Sequence, residues 1–293
     1  MKHKSPLRYP GGKAKVAPFV KSLLLQNKLN GGSYIEPYVG GGAVAISLLF
    51  EGIVNDIYIN DKDKSIFAFW YSVLFETEMF CKKIWKTEIT IDNWYEQREI
   101  QRHKETASLF DLGFSTFFLN RTNRSGILSG GVIGGLSQNG EYKMNARFNK
   151  VELIARIESI AQFNQHIHVA NLDAIDFLTK TIPHLTGKPM LIYLDPPYFV
   201  KGKGLYMNHY SPEDHKRIAE YIKEFDDNIP WIMSYDKVAF IENLYKQFRI
   251  TPFELIYSAS NSGRGSEIMI FSDNVEVPSS KIVEYTHLCR SKK

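Results

Sequence analysis

Asp195-Pro196-Pro197-Tyr198 places an acidic acceptor, two residues with no N–H to donate and an aromatic ring in four consecutive positions. Such a corner is short and rigid, and it can grip a planar amino group. An aromatic amine such as N6 of adenine is a poor nucleophile because its lone pair is drawn into the ring. If the Asp195 carboxylate and the Pro196 carbonyl each accept one N–H, the nitrogen is pulled toward tetrahedral geometry and the lone pair is freed. Tyr198 can then stack on the base. Stabilising the charge that develops on nitrogen is electrostatic preorganisation, and holding it in line with an electrophilic methyl is proximity catalysis. The plain alternative is a strand-ending turn, for which Asp and Pro are common, so the argument depends on what surrounds the four residues.

The apolar run Met190-Leu191-Ile192-Tyr193-Leu194 has the length and composition of a buried parallel strand. It therefore displays the tetrapeptide at a strand's carboxyl end, where open α/β sheets place ligands. Earlier in the chain, Ser33 to Tyr38 leads into Gly40-Gly41-Gly42 and a helix from Val44 to Phe50, the entry to a Rossmann-like unit. The strict spacing of dinucleotide binders is missing, so pyrophosphate is not the obvious ligand. A second strand, Ile57-Tyr58-Ile59-Asn60, ends in Asp61, about twenty residues past the glycines, the offset at which an acid meets ribose hydroxyls. The sheet resumes at Ile167 to Asp173, and the Asp173 carboxylate can accept the amino group of a cofactor's adenine. Together these positions describe a nucleoside-containing cofactor. Arg8-Tyr9-Pro10-Gly11-Gly12-Lys13 opens the fold as a turn before a helix, where backbone N–H groups and Lys13 can meet an anion; a solvated N-terminal loop is the bland alternative. After the tetrapeptide come a polar loop from Lys201 to Tyr206, suited to closing over a substrate, and a helix start at Ser211-Pro212-Glu213-Asp214 with a capping box. A strand at Trp231 to Ser234, a helix from Lys237 to Gln247 and a closing strand from Glu267 to Phe271 finish the chain, with Arg264 as a phosphate contact or a hairpin residue.

Between about Cys81 and Gln165 the strand-helix rhythm breaks. Residues 82–150 hold about eleven Lys/Arg against about seven Asp/Glu, an excess as large as the net +4 of the whole 293-residue chain. The segment carries Asn120-Arg121-Thr122-Asn123-Arg124 and then glycines 126, 130, 131, 134, 135 and 140. Arg and Asn bond base edges in bidentate fashion, and a glycine-rich loop can fold against a groove. A helical insertion with a solvated basic face is the alternative.

As a set, Tyr9-Pro10-Gly11-Gly12-Lys13, Glu36-Pro37-Tyr38-Val39-Gly40-Gly41-Gly42, Asn60-Asp61, Asn120-Arg121 and Asp195-Pro196-Pro197-Tyr198 resemble the Dam-like (D12 class) DNA adenine-N6 methyltransferases, in the family's order and over most of the chain. The resemblance implies an α/β fold: a Rossmann-like S-adenosylmethionine-dependent methyltransferase sheet with a mainly helical target-recognition insertion. Residues 1–80 are the expected cofactor-binding part, 81–165 the DNA-binding insertion and 166–293 the catalytic part. It implies S-adenosylmethionine held by Tyr9, Lys13, Glu36, Pro37, Tyr38, Gly40, Gly42, Asp61, Asp173 and Asp195. It implies Asp195, Pro196, Pro197 and Tyr198 at a flipped adenine, and double-stranded DNA met by Arg8, Asn120, Arg121, Asn123 and Arg124. A cognate restriction endonuclease is the further partner that such enzymes can have. Tyr9 stands where the family often has Trp, and Ile127 to Gly140 differs from the loop of members that methylate GATC, so the recognition sequence does not carry over.

Composition narrows the field from another side. Hydrophobic content of 44% and charged content of 23% are those of a globular protein. Two cysteines, Cys81 and Cys289, exclude a disulfide framework and a four-cysteine zinc site. His166 and His168 read as one face of a strand rather than as metal ligands, and no metal is expected. Val39 to Val54 is too short for a membrane span and carries Glu51, and Met1 to Pro6 is not followed by the apolar core of a signal peptide, so none is expected. The expectation is a soluble cytoplasmic enzyme. Two competitors remain: the same chemistry on RNA adenine or a glutamine amide, and a nucleic-acid-binding module with a dead cofactor pocket.

Overall fold

The computed structural model describes residues 5–8, 13–200, 210–225, 227–255 and 265–278, with only the backbone for 254, 255, 265 and 266. Tyr9 to Gly12, the loop from Lys201 to Tyr206 and Arg264, all singled out above, lie outside the described residues. The fold is α/β. Its mixed seven-stranded sheet has the order β3-β2-β1-β4-β5-β7-β6. The chain divides into two compact units, one of residues 11–60 and 172–293, the other of residues 1–10 and 61–171.

The first unit is built on parallel strands β1 (Ser33–Glu36), β2 (Asp56–Asn60), β4 (Met190–Leu194) and β5 (Trp231–Asp236). All five residues of β4 are buried, as a central strand covered on both faces requires. In sequence the chain steps from β1 to β2 on one side, while β4 pairs with the other side of β1, with Ile35 opposite Ile192. That reversal is a topological switch point, the place where doubly wound sheets open a crevice at their carboxyl edge. Helix α1 (Ala17–Gln26) carries Pro18 in its first turn, where a missing N–H costs nothing, and packs Phe19 edge-on against Phe271. Helix α2 (Ala43–Phe50) starts from Gly42 at φ +60°, a left-handed conformation that glycine adopts without penalty. The capping box of α9 (Pro212–Lys223) is present, with Ser211 and Asp214 in the expected roles.

The chain after β5 departs from the sequence expectation in two ways. The chain after β5 forms only a short helix, α10 (Ala239–Leu244), and then a strand the sequence reading passed over, β6 (Arg249–Leu255). It pairs antiparallel with β7 (Gly265–Phe271), which itself runs antiparallel to β5. Pro252 is tolerated because β6 is an edge strand with one ladder to satisfy.

The other unit is mainly helical: α3 (Lys64–Phe75), α4 (Thr77–Lys86), α5 (Ile91–Arg102), α6 (Leu109–Thr122) and α7 (Lys150–Ala161). The span 81–165 falls within it. Polar caps set the helix starts, since Asp63, Thr90, Ser108 and Asn149 each accept a backbone N–H from the first turn. Its core is aromatic: Phe69, Trp70, Phe80, Phe114, Phe117 and Phe118 are fully buried, with Phe69 stacked on Phe117 at 6.2 Å. Gly113 allows α3 and α6 to approach closely, because a Cβ there would lie 2.4 Å from the Ala68 carbonyl. Strand β3 (Ile167–Ala170) follows a 3-10 turn, Asn164–His166, so His166 sits in that turn instead of sharing a strand face with His168.

Candidate active site

Beyond Leu194 the chain leaves β4 and turns, and the turn is fastened by the carboxyl end of β5. Asp236 accepts the backbone N–H groups of Phe199 (3.0 Å) and Val200 (2.8 Å), gripping the segment just past Tyr198. Two residues earlier on the same strand, the Ser234 hydroxyl donates to Asp195 Oδ1 at 2.7 Å. With its proton given to Asp195, Ser234 accepts from the Tyr193 hydroxyl, 2.9 Å away. Alternation along β5 therefore brings two polar side chains to one face, both directed at the corner.

Lys13 begins a 3-10 turn, Lys13–Lys15, and its side chain is 16% exposed. Its Nζ lies 2.8 Å from Asp195 Oδ1, donates to the Tyr198 oxygen at 2.5 Å and to Ser234 Oγ at 3.1 Å, and stands 3.6 Å from Glu267 Oε2. Tyr198 passes its own proton to Glu267 Oε2 at 2.7 Å. Desolvation alone would make the Lys13 ammonium easier to deprotonate, but Asp195, the phenols of Tyr193 and Tyr198, and Glu267 outweigh it and hold the lysine well above its ordinary range. Burial pushes Tyr198 in the same direction, so it remains a neutral phenol. Lys13 and Ser234 both meet Asp195 at Oδ1. Tyr198 is 5% exposed and turned into this network. Stacking its ring on a base calls for a rearrangement that frees one face; its observed work is to tie the corner to Lys13 and Glu267.

Glu36, at the end of β1, is also buried, at 4% exposure. Desolvation first and Asp195 second push its carboxyl well above the usual range, against the N–H of Ala45 in α2, Lys13 and Tyr34. Asn60 is wholly buried and organises the neighbouring turns. Its amide donates to the carbonyls of Pro37 and Leu172, both at 3.0 Å, and accepts the Leu172 N–H, while its carbonyl receives the Val39 N–H. The Asn60 side chain thus ties the residue before Tyr38 to the approach to Asp173, and its backbone carbonyl anchors Val39 at the start of the glycine turn, where Gly40 and Gly42 have positive φ. Asp173 caps α8 (Ala174–Leu185) through the Ile175 N–H and lies 3.4 Å from Arg217. The Tyr38 and Tyr210 hydroxyls meet at 3.0 Å, and burial, with Asp173 and Asp214 adding to it, pushes Tyr210 up to about 12.

These residues fit a sulfonium cofactor in their donor set. At the switch-point edge stand a glycine turn that lets backbone approach a ligand and a cluster in which the Asp195 and Glu267 carboxylates outnumber the Lys13 ammonium, a balance suited to a cation. Asp61 lies in the other unit, where its carboxylate accepts the Asp63 N–H at 2.9 Å. No group of three His, Cys, Asp or Glu able to hold a metal occurs among the described residues.

In the helical unit, Asn120 bonds Arg8 in both directions, accepting its N–H and donating to its carbonyl at 2.7 Å each, and donates again to Gly126. Asn123 accepts from the Trp94 indole at 2.7 Å and donates to the carbonyls of Ile127 and Leu128. Both amides are engaged inside the unit and shape the segment. The arginines differ. Arg8 reaches the Asn123 carbonyl, Arg121 the Arg147 carbonyl and Arg156 the Ser5 carbonyl. Burial, then Arg8 and Arg156, lower Arg121 to about 10, with Glu152 the opposing carboxylate and Arg147 adding to the repulsion. Arg147 and Arg156 were not among the sequence candidates; lying 26 and 35 positions past Arg121, they join it only through the fold. Arg124 is exposed and borders a shallow depression of about 360 Å³ lined by Ile133, Gly134, Gly135, Gly140, Glu141 and Tyr142. The glycine-rich loop is built around Gln138, whose amide donates to Ile133 and Gly135 and accepts from Met144.

Comparison with known proteins adds the following. A family model described as D12 class N6 adenine-specific DNA methyltransferase matches residues 9–259. The Type II methyltransferase M.MjaIII of Methanocaldococcus jannaschii is 22% identical over 270 residues, covering 85% of this chain and 90% of that relative. A solved structure of a conserved hypothetical protein from Streptococcus pyogenes is 11% identical and covers 84% of this chain and 89% of its own, with a TM-score of 0.32, too low for the likeness to decide anything.

Proposed function

The chain belongs to the D12 class N6 adenine-specific DNA methyltransferase family, and from that premise we propose that it methylates N6 of adenine in double-stranded DNA from S-adenosylmethionine, on a flipped base and by direct in-line transfer. The observation that carries this reading is the fixed Asp195 carboxylate at the tip of β4, with Lys13 and Ser234 both on Oδ1. Oδ2 and the Pro196 carbonyl then accept the two hydrogens of the adenine amino group and orient its lone pair. S-adenosylmethionine, when bound, supplies an electrophilic methyl on a sulfonium; Tyr38, Gly40, Gly42 and Asp173 are the residues of this unit proposed to hold it. Since the leaving group is already good, the protein's share is alignment and stabilisation of charge on N6. Extruding the adenine costs a few kcal/mol, to be recovered from contacts with the strand.

DNA is assigned to the helical unit. Arg8, Arg121 and Arg124, with Arg147 and Arg156, supply positive charge for phosphates, and Asn120 and Asn123 hold the segment that presents it. The type II character of the archaeal relative extends the proposal to a restriction endonuclease that shares the recognition sequence. Single-molecule sequencing of DNA from cells expressing the protein tests the reading: N6-methyladenine within one short motif is expected, and unmodified adenine throughout would overturn it.

A further inference from the structure

Glu267 lies on β7, seventy-two positions beyond Asp195, with no exposed surface. An isolated buried carboxylate is costly, so its surroundings have to account for it. On β7 it is paired in register with Asp236 of β5, the residue that grips Phe199 and Val200. Its Oε2 accepts the Tyr198 proton at 2.7 Å and lies 3.6 Å from Lys13 Nζ. Tyr198 in turn accepts from Lys13, and Lys13 bonds Asp195 Oδ1. The chain of contacts thus runs from β7 through two side chains to the carboxylate that faces the substrate.

Resting on the methyltransferase reading, we infer that Glu267 is a positioning residue of the reaction: it holds Tyr198 and Lys13 so that Lys13 occupies Oδ1 of Asp195 and leaves Oδ2 to the adenine amino group. Charge points the same way. With Glu267 the Lys13–Asp195–Glu267 set carries one net negative charge, which favours the positive charge developing on N6. Without it the set is neutral, and Lys13 is free to settle elsewhere on Asp195. Among the described residues, Tyr193, Tyr198, Ser234 and Glu36 face this set.

The test is a double-mutant cycle with Glu267→Gln and Tyr198→Phe in the full chain, reading kcat, KM for cofactor and KM for DNA. Glu267→Gln should lower kcat about thirtyfold while both KM values stay within about threefold, the signature of an interaction that matters in the transition state. Because both changes act through one hydrogen bond, the double variant should be no slower than the slower single variant by more than about threefold. A Glu267→Gln enzyme with unchanged kcat, or a double variant whose losses multiply, overturns the inference. Cofactor binding by calorimetry and a thermal melt check that the variants are folded. If Glu267→Gln does not fold, Tyr198→Phe cuts the same bond from the other end, and an unchanged kcat there overturns the inference equally. A wild-type enzyme that methylates no adenine defeats the functional reading itself; an active wild type with an indifferent Glu267→Gln defeats only this one.

Discussion

The two units handle charge in opposite ways. Around Asp195 charges of opposite sign meet directly: Lys13 faces two carboxylates, and the Tyr193, Tyr198 and Ser234 hydroxyls complete the contacts. In the helical unit Arg8, Arg121 and Arg147 share like charge, Arg8 and Arg121 are held by backbone carbonyls, and Glu152 pairs with Arg156. Buried, matched charges fix geometry and act on a rate, because any movement leaves an ion unpaired in a low dielectric. Unmatched cations attract a polyanion and act on an affinity that salt weakens. One unit should therefore lose kcat when cut, the other Kd.

The largest effect tests the first half of that contrast. Asp195→Ala should reduce turnover about a thousandfold or more while DNA binding by fluorescence anisotropy stays within about threefold, since the lost acceptor works on developing charge. Lys13→Met comes next and sharpens the point, because it leaves Asp195 and Glu267 facing each other without a cation. It should destabilise the protein by about 3 kcal/mol in urea titration and slow turnover about a hundredfold. For the second half, Arg121→Ala should raise Kd for DNA about tenfold at low salt and reduce the slope of log K against log salt by about one, with kcat at saturating DNA unchanged. A loss of kcat without a change in slope would erase the distinction between the units.

The smallest effect concerns pH. Glu36 has its carboxyl raised in the folded state by burial and by Asp195, so the folded protein binds that proton more tightly than the unfolded chain. Stability from this group is present below the unfolded Glu value and is lost as pH rises toward the folded value. Glu36→Gln should accordingly raise Tm at pH 7 and do so less at pH 4, measured by calorimetry. A gain independent of pH would mean that Glu36 is not the source.

Local signals carried most of the scaffold. The run Met190 to Leu194, the glycine turn before α2 and the Ser211–Asp214 box are each set by neighbours in sequence, and each folds as its pattern implies. Strand β6 was hidden because Pro252 reads as a breaker unless the strand is known to be an edge, which is a property of the sheet. The corner itself was legible, but its fastening was not. Ser234, Asp236 and Glu267 come from strands recognised only for their apolar residues. Their one sequence signal is a polar side chain within an apolar run, as for Ser234, or at its end, as for Asp236 and Glu267, which a buried site has to explain. Asn120 and Asn123 show the converse limit, since an amide can serve a base edge or its own backbone, and residue type alone does not assign it.

The most direct measurement is nucleoside mass spectrometry of unmethylated duplex DNA incubated with methyl-labelled S-adenosylmethionine and either wild-type protein or Asp195→Ala. The account predicts label in N6-methyladenine with the wild type and essentially none with the variant. Label on cytosine, on RNA or on protein, or an Asp195→Ala enzyme as active as the wild type, would contradict it.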